Sequence, residues 1–209
     1  MNRSSSDSSV RDFLTALAAA PEAQGAVSAS AVAGGMAASL LLRVAALPQT
    51  RFDSMDDRTA LADAATALTE MREQLLETVE TEAAVKVFAA RNLPRNTATQ
   101  RAAREGAIQL ALRAAADIPL EVMRLCTIAL NHARVIAEHG CRAAANDVEL
   151  AVSLLRVAFA GAQTNLETRL SSLTDLVYTK AVVDEVARLA ETARSAATAA
   201  ESSVQTPSA

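Results

Sequence analysis

Between Leu75 and Pro119 the chain sets two helical patterns end to end, separated by Leu93-Pro94 and closed by Ile118-Pro119. Proline drives the residue before it out of the α region and cannot extend a helix, so each of these pairs predicts a helix boundary. Between the boundaries apolar residues recur three and four positions apart, the period of an amphipathic helix. The same period runs through the rest of the chain, and strand signals are nearly absent. The apolar residues are mostly Ala, Leu and Val, with one Tyr and no Trp in 209 residues. Ala is the strongest helix former, and small side chains let helix axes approach. The expected fold is all-α, a helical bundle of about seven helices with short connections.

Taken in order, residues 1–9 are too polar to offset the entropy of ordering and are read as a disordered tail. Residues 10–203 are read as a single helical domain and 204–209 as a second tail. A short amphipathic helix spans Val10 to Ala20 and stops at Pro21. The next, Ser28 to Ala46, is apolar almost all round and is therefore expected at the centre. Its Gly34-Gly35 pair predicts close approach of another backbone. The third pattern starts at Ser54 or Asp56 and runs to Arg91, as one very long helix or two joined by a kink. Thr97 with Gln100 is a capping-box pattern for a fourth helix ending near Asp117; Pro119 then opens a fifth that runs to His139 and stops at Gly140. Asn146 with Glu149 repeats the capping-box pattern before a helix from Asp147 to Leu170. The last helix, Ser172 to Ser202, is expected to bury Val177, Val182, Val183, Val186 and Leu189.

Several function classes are excluded by composition. A net charge of −4 does not suit a protein that neutralises phosphates, so no nucleic-acid partner is expected. No uninterrupted apolar run reaches the roughly 18 residues of a membrane span; Ala37 to Leu47 is broken by Arg43. Met1 to Ser9 lacks the basic and apolar regions of a secretory signal, so a cytoplasmic protein without a membrane partner is expected. Cys126 and Cys141 lie in neither a metal nor a redox spacing and are read as buried small residues. His132 and His139 share a helix face without a third ligand nearby, so no metal site is expected.

Glu80 stands out because Leu76, Val79, Ala83, Ala84 and Val87 surround it at helical spacing, which predicts a carboxylate near mid-helix facing partly inward. Such an acid is costly unless paired or used. It is either a general base or acid with a raised pKa, or a helix glutamate paired with a cation such as Arg72. Asp147 opens a helix, where the macrodipole favours an anion whether or not it acts chemically. Asn165 offers a ligand both donor and acceptor, and Arg169 one turn later is either an anion clamp or a solvated cation. Arg51 and Asp53 sit on a loop as substrate contacts or as solvated charges.

The ordered series Leu93-Pro94-Arg95-Asn96-Thr97, Ala107-Ile108-Gln109-x-Ala111 and Asp117-Ile118-Pro119-Leu120 resembles the cyclodeaminase/cyclohydrolase family. The likeness continues through Ala137-Glu138-x-Gly140, Asn146-Asp147 and Ala162-x-x-Asn165, and back to Val10-x-x-Phe13-Leu14 and Ser28 to Leu47. The resemblance implies an all-α, usually dimeric protein that opens or closes a C–N bond in a folate one-carbon adduct. It assigns catalytic roles to Glu80 and Asp147, and substrate contacts to Ser28, Arg51, Asp53, Asn165 and Arg169. The chain also departs from the family. A Pro-Thr-Pro-Gly-Gly-Gly-Ser turn becomes Pro21 to Ser28 with only Gly25 kept, so Gln24, Ala26 and Val27 would narrow the approach to a ligand. A lysine-rich loop is reduced to Arg51, an aspartate becomes Glu80, the phenylalanine four residues on becomes Ala84, an asparagine becomes Cys141, a serine becomes Asn146, and a second asparagine becomes Arg169.

Three functions follow from matches and departures together. The first is a cofactor-free enzyme that makes or breaks a C–N bond in a non-folate small-molecule amine, such as ring closure with loss of an anionic leaving group in specialised metabolism. The second is a methenyltetrahydrofolate cyclohydrolase or formimidoyltetrahydrofolate cyclodeaminase, with a tetrahydrofolate derivative bound. The third is a catalytically silent helical protein that positions a partner. The expected assembly is a homodimer or a complex with a pathway enzyme.

Overall fold

The computed structural model describes residues 9–19, 25–48, 54–79 and 83–205. Among them are seven α-helices and no strand: α1 (Val10–Ala19), α2 (Ala26–Ala46), α3 (Met55–Val79), α4 (Ala83–Arg91), α5 (Ala98–His139), α6 (Ala145–Leu170) and α7 (Leu176–Gln205). The number agrees with the sequence expectation, but the division differs. The third pattern resolves into α3 and α4, while the expected fourth and fifth helices are one 42-residue helix, α5, with Pro119 inside it. Glu80 falls between the last residue of α3 and the first of α4 and lies outside the described residues, as do Arg51 and Asp53.

The central helix is α2, which packs against α3, α5 and α6. Its Ala31, Ala37, Ala38 and Leu41 are wholly buried. Averaged over 18 residues its hydropathy is 1.5, enough by length and composition alone for a membrane span. The apolar run itself is interrupted by Arg43 in the last turn. In the fold α2 is a core helix. Close packing at Gly34 involves side chains, not the expected backbone: a Cβ there would lie 3.1 Å from Leu75 Cδ1 and 3.5 Å from Cys126 Sγ.

Local signals set several boundaries. Thr97 Oγ1 accepts from Gln100 N and the Gln100 side chain accepts from Thr97 N, so the predicted capping box opens α5. Ser54 and Asp57 exchange the same kind of bonds at the start of α3. The Asn146–Glu149 box does not form. A 3-10 turn over Arg142–Ala144 feeds directly into α6, so Asn146 is already helical. The buried stripe of α7 also differs from expectation: Val182 is buried, Val186 and Leu189 are half-buried, but Val177 and Val183 are exposed. Farther along, Ala193, Ala196, Ala197 and Ala200 form the contact, because alanines let α7 lie close against α5 and α6.

Pro119 does not break α5. Its missing N–H and its ring disrupt the bond to the carbonyl of Ala115, a cost of roughly 3 kcal/mol. Burial of Leu120 and Met123 beside it contributes about 1.5–3 kcal/mol each. Tertiary packing on both sides of the proline thus holds one helix through it.

Two glycines give opposite expectations. Gly106 is exposed in α5 with nothing within 4 Å of an added Cβ, so Gly106→Ala raises stability by about 0.5–1 kcal/mol. At Gly140 an added Cβ would collide with the Ile136 carbonyl and lie 2.9 Å from Val44 Cγ1; Gly140→Ala lowers stability by about 1–3 kcal/mol. Urea unfolding of the two variants beside the parent checks both signs.

Candidate functional site

Where α2 ends and α6 begins, the chain forms a groove of about 450 Å³ lined by Arg43, Leu47, Pro48, Cys141, Asn146 and Asp147, with Ala143 and Ala144. Gly140 caps α5 with its N–H on the Ile136 carbonyl, 2.8 Å away, and the turn brings Cys141 to the groove wall. Asp147 occupies the first turn of α6 and accepts a hydrogen bond from Arg43 in the last turn of α2. Each charge stands at the helix end whose dipole favours it. The Asp147 side chain is 24 % exposed and Arg43 63 % exposed, so the carboxylate is held at the groove while the guanidinium meets solvent. Arg43 enters the sequence reading only as the break in an apolar run. A single cation in the last turn of an otherwise apolar helix is the signal that identifies it.

The remaining expected contacts lie elsewhere. Helices α2 and α6 run antiparallel, with Arg43 beside Asp147 at one end and Ser30 beside Gly161 farther along. Ser28 therefore belongs to the opposite end from Asp147. Asn165 is half-buried and donates through Nδ2 to the Gly161 carbonyl at 2.9 Å, leaving its side-chain oxygen as an acceptor. Arg169 is half-buried; desolvation lowers its pKa, and it has no ion pair among the described residues. From Asp147 to Asn165 is about 27 Å along α6 at 1.5 Å per residue. Within one chain the structure does not bring Asp147 together with Asn165 and Arg169.

Other residues in the quoted motifs tie the C-terminal helix to α5. Gln109 Oε1 accepts from Thr174 N at 3.0 Å, and Asp117 Oδ1 accepts from the Tyr178 hydroxyl at 2.6 Å. Arg113 lies over the Tyr178 ring, 4.2 Å from its centroid, and 3.7 Å from Asp175. Arg124 holds Glu185 through two bonds, of 2.7 and 3.0 Å. Cys126 is buried, which pushes its thiol up to about 12 and makes it a poor nucleophile. His132 is half-buried, and desolvation lowers its pKa. His139 Nε2 lies 4.0 Å from Asp57 and 3.9 Å from Glu138. No group of three metal-binding side chains occurs among the described residues.

The chain is thus an all-α bundle with a carboxylate groove where two antiparallel core helices meet. Residues 9–188 match the formiminotransferase-cyclodeaminase family, and the chain belongs to it. It is 27% identical to methenyltetrahydrofolate cyclohydrolase of Methylorubrum extorquens over 179 residues, 85% of this chain and 86% of that protein. It is 24% identical to formimidoyltransferase-cyclodeaminase of Gallus gallus over 178 residues, 81% of this chain but 31% of that longer protein. The crystal structure of formiminotetrahydrofolate cyclodeaminase from Thermotoga maritima superposes with a TM-score of 0.84 at 22% identity, covering 95% of this chain and 96% of that one.

Desolvation and the bond to Asp117 raise the pKa of Tyr178 above its usual value. The folded state therefore keeps Tyr178 protonated where the unfolded chain releases the proton. The resulting stabilisation is complete below about pH 10, the unfolded value, and is lost as pH rises through the folded one. Urea midpoints of the parent fall more steeply above pH 10 than those of Tyr178→Phe; parallel profiles would remove this account of the tyrosine.

Proposed function

We propose that this protein acts on the C–N bond of a folate one-carbon adduct, with hydrolysis of methenyltetrahydrofolate as the first reading. The observation that carries it is the Arg43–Asp147 groove in a chain similar to a cyclohydrolase over 86% of that enzyme's length. Val27, which on sequence grounds narrows the approach to a ligand, belongs to the hydrophobic core. That weakens the case for a non-folate amine.

The bridging carbon of the substrate is an amidinium centre, electrophilic and cationic. Asp147 offers the opposite charge to the cation and a base for the attacking water. Water adds to the carbon and the carboxylate takes its proton. The proton then returns to the departing nitrogen as the C–N bond breaks, and the hydroxyl gives its own proton to the freed carboxylate and on to solvent, leaving a formyl group on the other nitrogen. Arg43 holds Asp147 oriented until substrate arrives. Glu80, at the family's aspartate position, is the second carboxylate of the proposal, with Arg51 and Asp53 as substrate contacts. The similarity to the chicken and Thermotoga proteins favours a second reaction on the same scaffold: ring closure of a formimino adduct with loss of ammonia.

The test follows the methenyl chromophore in the presence of purified protein against an uncatalysed control, with ammonia release from a formimino adduct measured in parallel. Asp147→Asn is expected to lower kcat by about 100-fold or more with a melting temperature close to the parent's, and Glu80→Gln to lower it comparably. No turnover of either adduct by the parent would overturn the folate reading. Full activity of Asp147→Asn would remove that residue from the mechanism.

A further inference from the structure

We propose that His139 is a positioning residue: it clamps the start of α3 to the end of α5, and so tethers to the groove the segment that carries Arg51 and Asp53. The effect on turnover rests on the folate reading; the clamp itself does not.

The geometry repeats that of the Arg43–Asp147 pair at the same end of the bundle. There a cation in the last turn of α2 meets a carboxylate in the first turn of α6. Here His139, in the last turn of α5, faces Asp57, in the first turn of α3. Its Nε2 lies 4.0 Å from Asp57 Oδ1 and 3.9 Å from Glu138 Oε2, and the side chains of His139 and Asp57 are each 24% exposed. At both helix ends the macrodipole favours the charge that stands there.

The surrounding groups suit a cation at this point. An imidazole changes its charge near neutrality, so one proton turns a polar contact into a cation between two carboxylates. Asp57 faces it from α3 and Glu138 from its own helix. Arg134 and the uncharged Ser203 of α7 approach the other oxygen of Glu138, Oε1, at 3.7 and 3.4 Å, and so leave Oε2 toward His139.

Both sides of the clamp are anchored. The residue after His139 is Gly140, where Val44 of α2 and the Ile136 carbonyl fill the space of a Cβ, and Cys141 beyond it lines the groove. On the α3 side Asp57 Oδ2 accepts from Ser54 N at 2.9 Å, while Oδ1 faces His139. Five residues join Pro48, on the groove wall, to Ser54, and Arg51 and Asp53 are among them. Holding Ser54 therefore tethers that segment at both ends, and releasing His139 loosens one of them. Arg43 and Asp147 hold each other without His139. The clamp thus acts on substrate binding and leaves the proton-transfer group in place.

Two variants separate positioning from packing. His139→Phe keeps a ring and loses the donor, whereas His139→Gln keeps an N–H donor without the charge. With methenyltetrahydrofolate, His139→Phe is expected to raise KM by about 3- to 10-fold, the worth of one hydrogen bond. Its kcat should stay within about twofold of the parent's, the mark of lost uniform binding. His139→Gln should recover most of the loss at pH 8 and less at pH 6, because it supplies the hydrogen bond and not the cation. Equal KM values in all three proteins, a fall in kcat with KM unchanged, or a Gln variant as impaired as Phe at both pH values would overturn the positioning role. A double-mutant cycle of His139→Phe with Asp57→Asn in urea unfolding needs no substrate. Coupling is expected at pH 6 and should shrink at pH 8, whereas additive effects at both would overturn the clamp. Coupling in a parent that turns over neither adduct would support the clamp while overturning the folate reading.

Discussion

The close approach of α2 to its neighbours is the constraint on which the rest of the bundle depends. At Gly161 an added Cβ would collide with Ser30 Oγ, and at Gly34 one would press against Leu75. Glycine, serine and alanine at these crossings set the separation of α2 from α6 and α3. The Ser30 hydroxyl is neutralised locally by donating to the Ala26 carbonyl at 2.8 Å, so a polar group can sit at the tightest contact without seeking a partner across it. Once α2 and α6 lie this close and antiparallel, the C-terminal end of one and the N-terminal end of the other are neighbours. The Arg43–Asp147 pair and its groove follow from that adjacency.

What the sequence made legible was the local part of this. The capping box at Thr97, the end of α2 at Ala46 and the centrality of α2 each depend on residues a few positions apart, and each appears in the structure. Pro119 was illegible for the opposite reason. A proline in isolation ends a helix; here Leu120 and Met123 are buried in the core, and no short window of sequence contains the residues that cover them. Asn146 and Glu149 have the spacing of a capping box, but the 3-10 turn before them starts α6 early and removes Asn146 from the cap position. On α7 the valines looked like the buried stripe because they are large, whereas contact with α5 and α6 is made largely by alanines.

The candidate site divides along the same line. Asp147 was legible as a helix-start anion, but the partner that holds it in place comes from 104 residues earlier in the chain, and only the fold relates the two. Gln109 and Asp117, both part of the quoted motifs, prove to be anchors for Thr174 and Tyr178. Their role is to fix where α7 begins. A motif residue is thus as readily a clamp between helices as a contact to substrate, and spacing alone does not separate these uses.

The departures from the family pattern weigh differently once the helices are in place. Val27 occupies the core, so a larger residue there fills a helix interface. Cys141 stays at the groove wall, where it replaces a hydrogen-bonding amide by a small thiol. Arg169 adds a cation at the far end of α6, half-buried and without a carboxylate among the described residues of its own chain. An amide donor is lost at one end of α6 and a cation gained at the other, while the carboxylate of Asp147 between them is kept, held by Arg43. The changes therefore fall on either side of Asp147, while it keeps its partner Arg43 within the groove.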